Sequence, residues 1–357
     1  MLSIASVSAH HAAHYYGSDD IYADAAPNSQ WQGKASQKLQ LQGSVDADTF
    51  KTLLWGQTPD KIPLQKAFKI GHTPGIDLTF SALKSISLAT LLGGLWTLQQ
   101  AHQQSIRAAL SLLESCSGTR FWHGSTIHQN RFKQTGNLLI AQFVHTTSRA
   151  QDPQLHTHNV VLNTTHTGHE WRALDTRTLF KHRKLWQTVY HQDLAIKVQQ
   201  LGYAVTRHQG HLELAGYTPE QLEYWSKRRQ QILQAVGHHA SRRQKQVACL
   251  RTRPQKRGER SLATLRQQWA EENQEMGLEI NHPVPGVSKV PEASTRVAAA
   301  KDALDHLTRS LSLTDSIDTL SLIQQVFGND GWGNPEQLFG YQDLAQAITE
   351  ATDEGHL

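Results

Sequence analysis

The sequence predicts a mixed α and β fold, and three kinds of stretch carry that prediction. Ile76–Phe80 (IDLTF) alternates as a strand does, with Asp77, Thr79 and Ser81 on one face and Leu78 and Phe80 on the other. Asn137–Val144 (NLLIAQFV) and Asn159–Asn163 (NVVLN) favour strands and flank a turn-forming Asp152-Pro153. Helical spacing dominates elsewhere. Ser85–Ser115 repeats apolar residues at Ile86, Leu88, Leu91, Leu92, Leu95 and Leu98, which predicts one long helix ending before Gly118. From Trp171 to about Leu278 the pattern is mostly helical, notably Leu185–Tyr203, which ends at Gly202. Ala204–Leu214 interrupts it as a short hairpin with Gln209-Gly210 at the turn.

A chain of 357 residues, 38% of them hydrophobic, can build two domains or one large domain with an appendage. The longest apolar run, near Leu88–Trp96, is about half of what a bilayer span requires, so no membrane insertion is expected. The start, MLSIASVSAHHAAHYY, lacks the basic and apolar regions of a secretory signal. Two cysteines, Cys116 and Cys249, give neither a disulfide framework nor a CxxC metal pair, and a reducing cytoplasm is the simplest home. There is no GxxxxGK[ST], which excludes nucleotide binding by that route.

The net charge of +4 hides an asymmetry. Ser226–Arg260 carries eleven Lys/Arg against one acid, Glu259, while Pro291–Leu357 carries eleven acids against three bases. A solvated helix face is rarely so dense in one sign, and the basic segment suits phosphate contacts through Arg228, Arg229, Arg242, Arg243 and Lys245. Asn281–Ser294 holds three prolines and a glycine in fourteen residues and reads as a linker. Residues 1–280 would then form one domain and 295–357 an acidic helical region.

His145–Asn163 reads HTTSRAQDPQLHTHNVVLN. On a strand, His156 and His158 point to one face, and a hairpin would bring His145 within reach of both. With 21 histidines in the chain, roughly one HxH arises by chance, so the pair alone says little. Its strand-like flanks and the third histidine give it weight. Two readings stand: a three-imidazole metal site with open positions, or satisfied sheet histidines. Asp77, alternating with apolar residues, is either an edge acid or a buried one that needs a partner. HYYGSDDIY supplies Tyr15, Tyr16 and Tyr22; adjacent tyrosines usually pack, yet a phenol beside a divalent metal can attack phosphorus.

Six separated stretches now align in order from residue 1 to about 280. MLSIASVS, HYYGSDDIY, QWQGKASQKLQLQGSVD, GIDLTFSALKSISL, GNLLIAQFVHTTSRAQDPQLHTHNVVLN and EWRALDTRTLF together resemble the MobF-type conjugative relaxases, which belong to the HUH group of DNA-nicking enzymes. The resemblance implies a compact α+β domain whose central antiparallel sheet carries the histidine triad. A more mobile helical C-terminal part of the domain would close over DNA.

It further implies that His145, His156 and His158 hold a divalent metal, Mg²⁺ or Mn²⁺ with Zn²⁺ as the alternative. Tyr15 becomes the attacking residue, Tyr16 its neighbour and Asp77 the acid beside the triad. Many relatives carry a second tyrosine doublet where this chain has Ile21-Tyr22, so only Tyr22 can fill that role. Lys84, in DLTFSALKS, and Arg149, between the histidines, are expected at the DNA, Arg149 on a phosphate. The implied reaction is a reversible transesterification on single-stranded or hairpin DNA at a plasmid origin of transfer. Accessory relaxosome proteins and a secretion coupling protein are the implied partners.

Residues from about 295 resemble the start of a helicase part, and the chain stops before any helicase motif, so it is either a piece of a longer protein or a short relaxase. Three alternatives remain: a rolling-circle replication initiator, a non-catalytic metal-containing DNA-binding module, and a hydrolase using metal-bound hydroxide. Initiators usually carry their tyrosine downstream of the histidines, whereas here the doublet lies upstream.

Overall fold

The computed structural model describes residues 1–8, 29–64, 73–122, 130–208, 211–252, 261–275, 285–286, 288–310, 318–328 and 336–354. The strands in chain order are β1 (Leu2–Val7), β2 (Ser29–Gln32), β3 (Gly75–Ser81), β4 (Gly118–Trp122), β5 (Asn130–Gln134), β6 (Ile140–Thr147), β7 (Pro153–Leu162), β8 (Thr165–His166), β9 (Trp171–Arg172), β10 (Val205–His208) and β11 (His211–Leu214). Five form the central sheet in the order β1-β3-β7-β6-β2, every pair antiparallel. The remaining strands pair as the small hairpins β4-β5, β8-β9 and β10-β11.

The two faces of the sheet differ because the sequence alternates. Leu78 and Phe80 on β3, Leu155 and Val161 on β7, and Ile140 and Val144 on β6 share one face and are all buried. That face joins a single core with Leu98, Ile106 and Leu113 of the helix Trp96–Ser115 and with Trp186, Val189 and Tyr190 of the helix Arg183–Gln200. Phe80 and Tyr190 meet at 5.1 Å between ring centroids. Each such fully buried large side chain contributes about 1.5–3 kcal/mol relative to exposure. Trp31, Phe143, Val160 and Leu162 cover part of the opposite face together with Phe50 of the helix Ala47–Leu54. His145, His156 and His158 lie on this same face beyond that patch.

Three expectations need correction. The helix read as Ser85–Ser115 is two helices, Lys84–Leu91 and Trp96–Ser115. Gly94 between them takes φ +68°, a left-handed conformation that ends a helix at little cost only for glycine. His145 does not end its strand, because β6 runs on to Thr147 through a register shift. Trp171–Arg172 is a strand, and helical structure resumes only at Arg177.

Beyond β11 the helices Pro219–Tyr224, Lys227–Val236, Arg242–Arg251 and Leu262–Glu275 follow. Of the segment read as a linker, Gly286 donates its N–H to the Gly202 carbonyl at 2.8 Å. The helices Ala293–Ser310, Thr319–Phe327 and Tyr341–Asp353 contribute Ala300, Ile323, Phe327, Leu344 and Ala347 to the core shared with Arg183–Gln200. Gln192 Nε2 secures them, donating to the carbonyls of Gln337 at 2.8 Å and Phe339 at 3.0 Å. Among the described residues no helix is long and apolar enough to cross a membrane.

Candidate active site

β7 and β6 assemble the site through register alone. His145 on β6 stands directly opposite His156 on β7, and Phe143 stands opposite His158, so period-two alternation puts three imidazoles on one face. Their ring centroids are 5.3, 4.8 and 5.2 Å apart, and one nitrogen from each lies within 4.8 Å of the others.

Hydrogen bonds on the far side of two rings set their tautomers. His158 Nδ1 is 2.7 Å from Asp77 Oδ2, and His156 Nδ1 is 2.9 Å from the Gln154 carbonyl. A carbonyl and a carboxylate only accept, so each Nδ1 carries a proton, and in the neutral ring the Nε2 lone pair is the one left to offer. Burial, reinforced by the neighbouring His158, pushes the His156 imidazole down to about 3, so it is neutral at pH 7. Neutral imidazoles with converging lone pairs are the donor set a divalent transition metal takes, at nitrogen distances of about 2.0–2.1 Å for zinc. The cluster therefore fits such an ion.

Asp77, 9% exposed, resolves as a buried acid with a partner rather than an edge acid. Thr79 Oγ1 donates to the same Asp77 oxygen at 3.1 Å and lies 3.1 Å from His158 Nδ1. Sequence reasoning placed Thr79 on Asp77's face but gave it no role; the β3-β7 register sets it directly opposite His158. A second missed layer lies beneath the triad. Thr157 points to the helix side between the two ligands, where its hydroxyl meets His102 Nε2 at 3.0 Å, and His102 Nδ1 meets Tyr190 OH at 2.7 Å. Burial drives His102 down to about 3. Its place in the buried stripe of Trp96–Ser115, next to Leu98 and Ala101, was the available signal.

The structure sorts the other expected contacts. Lys84 Nζ donates to the Pro153 carbonyl at 2.9 Å, and burial pushes it down to about 8 despite the opposing fields of Asp152 and Glu213. The Arg228 guanidinium, at the surface, donates to the carbonyls of Cys249 at 2.8 Å and Thr252 at 2.9 Å, which ties two basic helices together. Lys245 Nζ donates to the His238 carbonyl at 2.9 Å. Arg229 and Arg243 are exposed. The helix Lys227–Val236, which carries Arg229, buries none of its residues. Arg149 sits in the turn between β6 and β7. Tyr15, Tyr16, Tyr22 and the side chain of Arg242 lie outside the described residues.

The family model "TrwC relaxase" matches residues 6–276. The multifunctional conjugation protein TraI of Escherichia coli is 39% identical over 272 residues, which is 72% of this chain and 15% of that protein. The chain therefore spans a small part of the length of this relative. Among solved structures, the conjugative relaxase TrwC in complex with oriT DNA, in its metal-bound form, superposes with a TM-score of 0.71 at 34% identity, covering 79% of this chain and 100% of that one. Its metal-free complex gives 0.70 at 33% identity with the same coverage. The complex of TrwC with a 27-mer DNA comprising the recognition hairpin and the cleavage site gives 0.69 at 32% identity, again over 79% of this chain and 100% of that one.

Proposed function

Since this chain belongs to the TrwC relaxase family, we propose that it nicks one strand of transfer-origin DNA by tyrosine transesterification and thereby starts conjugative plasmid transfer. The observation that carries this reading is the triad with its tautomers set: His156 and His158 each present Nε2 on the open face, beside His145, with Asp77 behind.

A divalent cation held there, Mg²⁺ or Mn²⁺ or else Zn²⁺, would act as a Lewis acid on the scissile phosphate and offset its charge. The chain's own residues do the rest. Asp77 and Thr79 hold His158 in one orientation. Because the near oxygen of Asp77 already accepts from both, its part is orientation rather than proton removal. Arg149 pairs with a phosphate oxygen, and Arg229 and Arg243 contact the backbone, a sequence-independent attraction. The Tyr15 phenol attacks phosphorus as its proton passes to water, which returns one to the departing 3′-oxygen. A P–O bond to tyrosine forms as the bond to the 3′-oxygen breaks, and that oxygen leaves as a hydroxyl. One phosphodiester replaces another, so the 3′-hydroxyl can reverse the step without ATP. Tyr16 stands beside the nucleophile, and Tyr22 is the candidate for a second transfer.

In this reading residues 1–280 are the nicking domain, and the helices within 295–357 pack on it. It would act in the bacterial cytoplasm with accessory relaxosome proteins and a secretion coupling protein.

Covalent capture tests the proposal. A pool of 3′-labelled single-stranded oligonucleotides, each a hairpin followed by a randomised tract, is incubated with the protein and Mn²⁺ and then denatured. Label retained on the protein, with a shared cleavage sequence among the recovered molecules, is the expected result. Label released by hydrolysis, with none retained, contradicts it.

A further inference from the structure

The turn that joins the histidine-bearing strands is braced from outside the sheet. Ser148–Asp152 closes through Ser148 N–H to Asp152 O at 3.0 Å and Gln151 N–H to Ser148 O at 2.9 Å. Gln151 takes φ +62°, a left-handed backbone that a side-chain-bearing residue adopts only against a steric penalty. Its carbonyl accepts a 2.8 Å hydrogen bond from the indole Nε1 of Trp269, 118 residues further along the chain.

That donor is rigidly held. Trp269 is 1% exposed and packs with Leu88, Leu91, Leu222, Trp225 and Leu265. Three residues on in the same helix, Glu272 accepts from Tyr224 OH at 2.8 Å and from Lys227 Nζ. Arg228 N–H, next in the chain, leans on Asp152 Oδ2 at 3.4 Å. The turn and the start of the basic helices thus share one clamp, the helix Leu262–Glu275.

We propose that Trp269 is a positioning residue: its indole N–H holds Gln151 in the left-handed conformation and so sets where Arg149, two residues earlier, is presented to DNA. This rests on the reading that Arg149 serves the scissile phosphate. Trp269 touches no substrate and acts through the backbone of the turn.

Trp269→Phe keeps an aromatic ring in the pocket and removes the donor. Replacing Trp269 by 3-benzothienylalanine, the same bicycle without N–H, covers the case in which phenylalanine disturbs folding. In either variant of the full chain, amide exchange across residues 147–153 should quicken about tenfold while β3 is unchanged. On an intact oligonucleotide bearing the cleavage sequence found by covalent capture, kcat should fall roughly tenfold or more with half-saturation unchanged. Gln151→Gly, which takes positive φ freely, should restore much of that loss. In an Arg149→Ala background the Trp269 change should have no further effect. Unaltered exchange in the turn, or losses that multiply in the double variant, overturns the proposal. If Arg149→Ala alone leaves kcat intact, the phosphate reading of Arg149 falls, and the exchange result still judges the Trp269 contact.

Discussion

His158 and Asp77, 81 residues apart in sequence, meet at 2.7 Å between Nδ1 and Oδ2 across the β7-β3 ladder. This one contact fixes which imidazole nitrogen faces the open side of the sheet. Asp77→Asn offers an amide in place of a charged acceptor and leaves His158 free to turn. Metal affinity measured by calorimetry should fall about 10–100-fold, with thermal stability nearly unchanged. Equal affinity in the variant would remove Asp77 from the site.

Thr79 acts through the same oxygen. Thr79→Val preserves shape and deletes the hydroxyl that donates to Asp77, and metal binding should weaken several-fold, on the order of 1 kcal/mol. Thr79→Ser should recover it. Failure of serine to rescue would mean that packing, not the hydroxyl, is what matters.

His102 gives stability a defined pH dependence. Burial holds its native value near 3 against an ordinary 6.5, so between those limits the unfolded chain binds a proton that the native state refuses. Its contribution is complete above about pH 6.5 and is lost as pH falls toward 3, at up to about 1.4 kcal/mol per unit. Urea denaturation at pH 7, 6 and 5 should show a steep decline in the parent and a shallower one in His102→Gln. Parallel declines would show that His102 is not protonated on unfolding.

Gly202 is a steric requirement for the contact with Gly286. It has φ +86°, and a Cβ there would lie 2.1 Å from the Gly286 carbonyl oxygen. Gly202→Ala should cost about 1–3 kcal/mol and speed proteolysis within residues 285–291. Unchanged cleavage there would mean the Gly202–Gly286 contact does not order the segment.

Much of the sheet was legible because alternation is a local signal. Asp77 and Thr79 share one face of β3, and His156 and His158 share one face of β7, as expected from spacing alone. What escaped depends on contacts distant in sequence. No local pattern couples Asp77 to His158, which the resemblance alone set side by side, and nothing in the sequence couples Trp269 to Gln151 across 118 residues. Lys84 illustrates the same limit: its 2.9 Å hydrogen bond to the Pro153 carbonyl, 69 residues away, has no local signal. Gly93-Gly94 lies inside the helical repeat of Ser85–Ser115, and the helix is interrupted there.

The most direct test is to locate the adduct itself. The protein is reacted with an intact oligonucleotide bearing the captured cleavage sequence and Mn²⁺, digested, and the nucleotide-bearing peptide sequenced by mass spectrometry. The expected result is a 5′-phosphotyrosine linkage at Tyr15, formed with Mn²⁺ and absent both after chelation and in His156→Ala. Cleaved DNA with free 5′-phosphates and no modified tyrosine would contradict it.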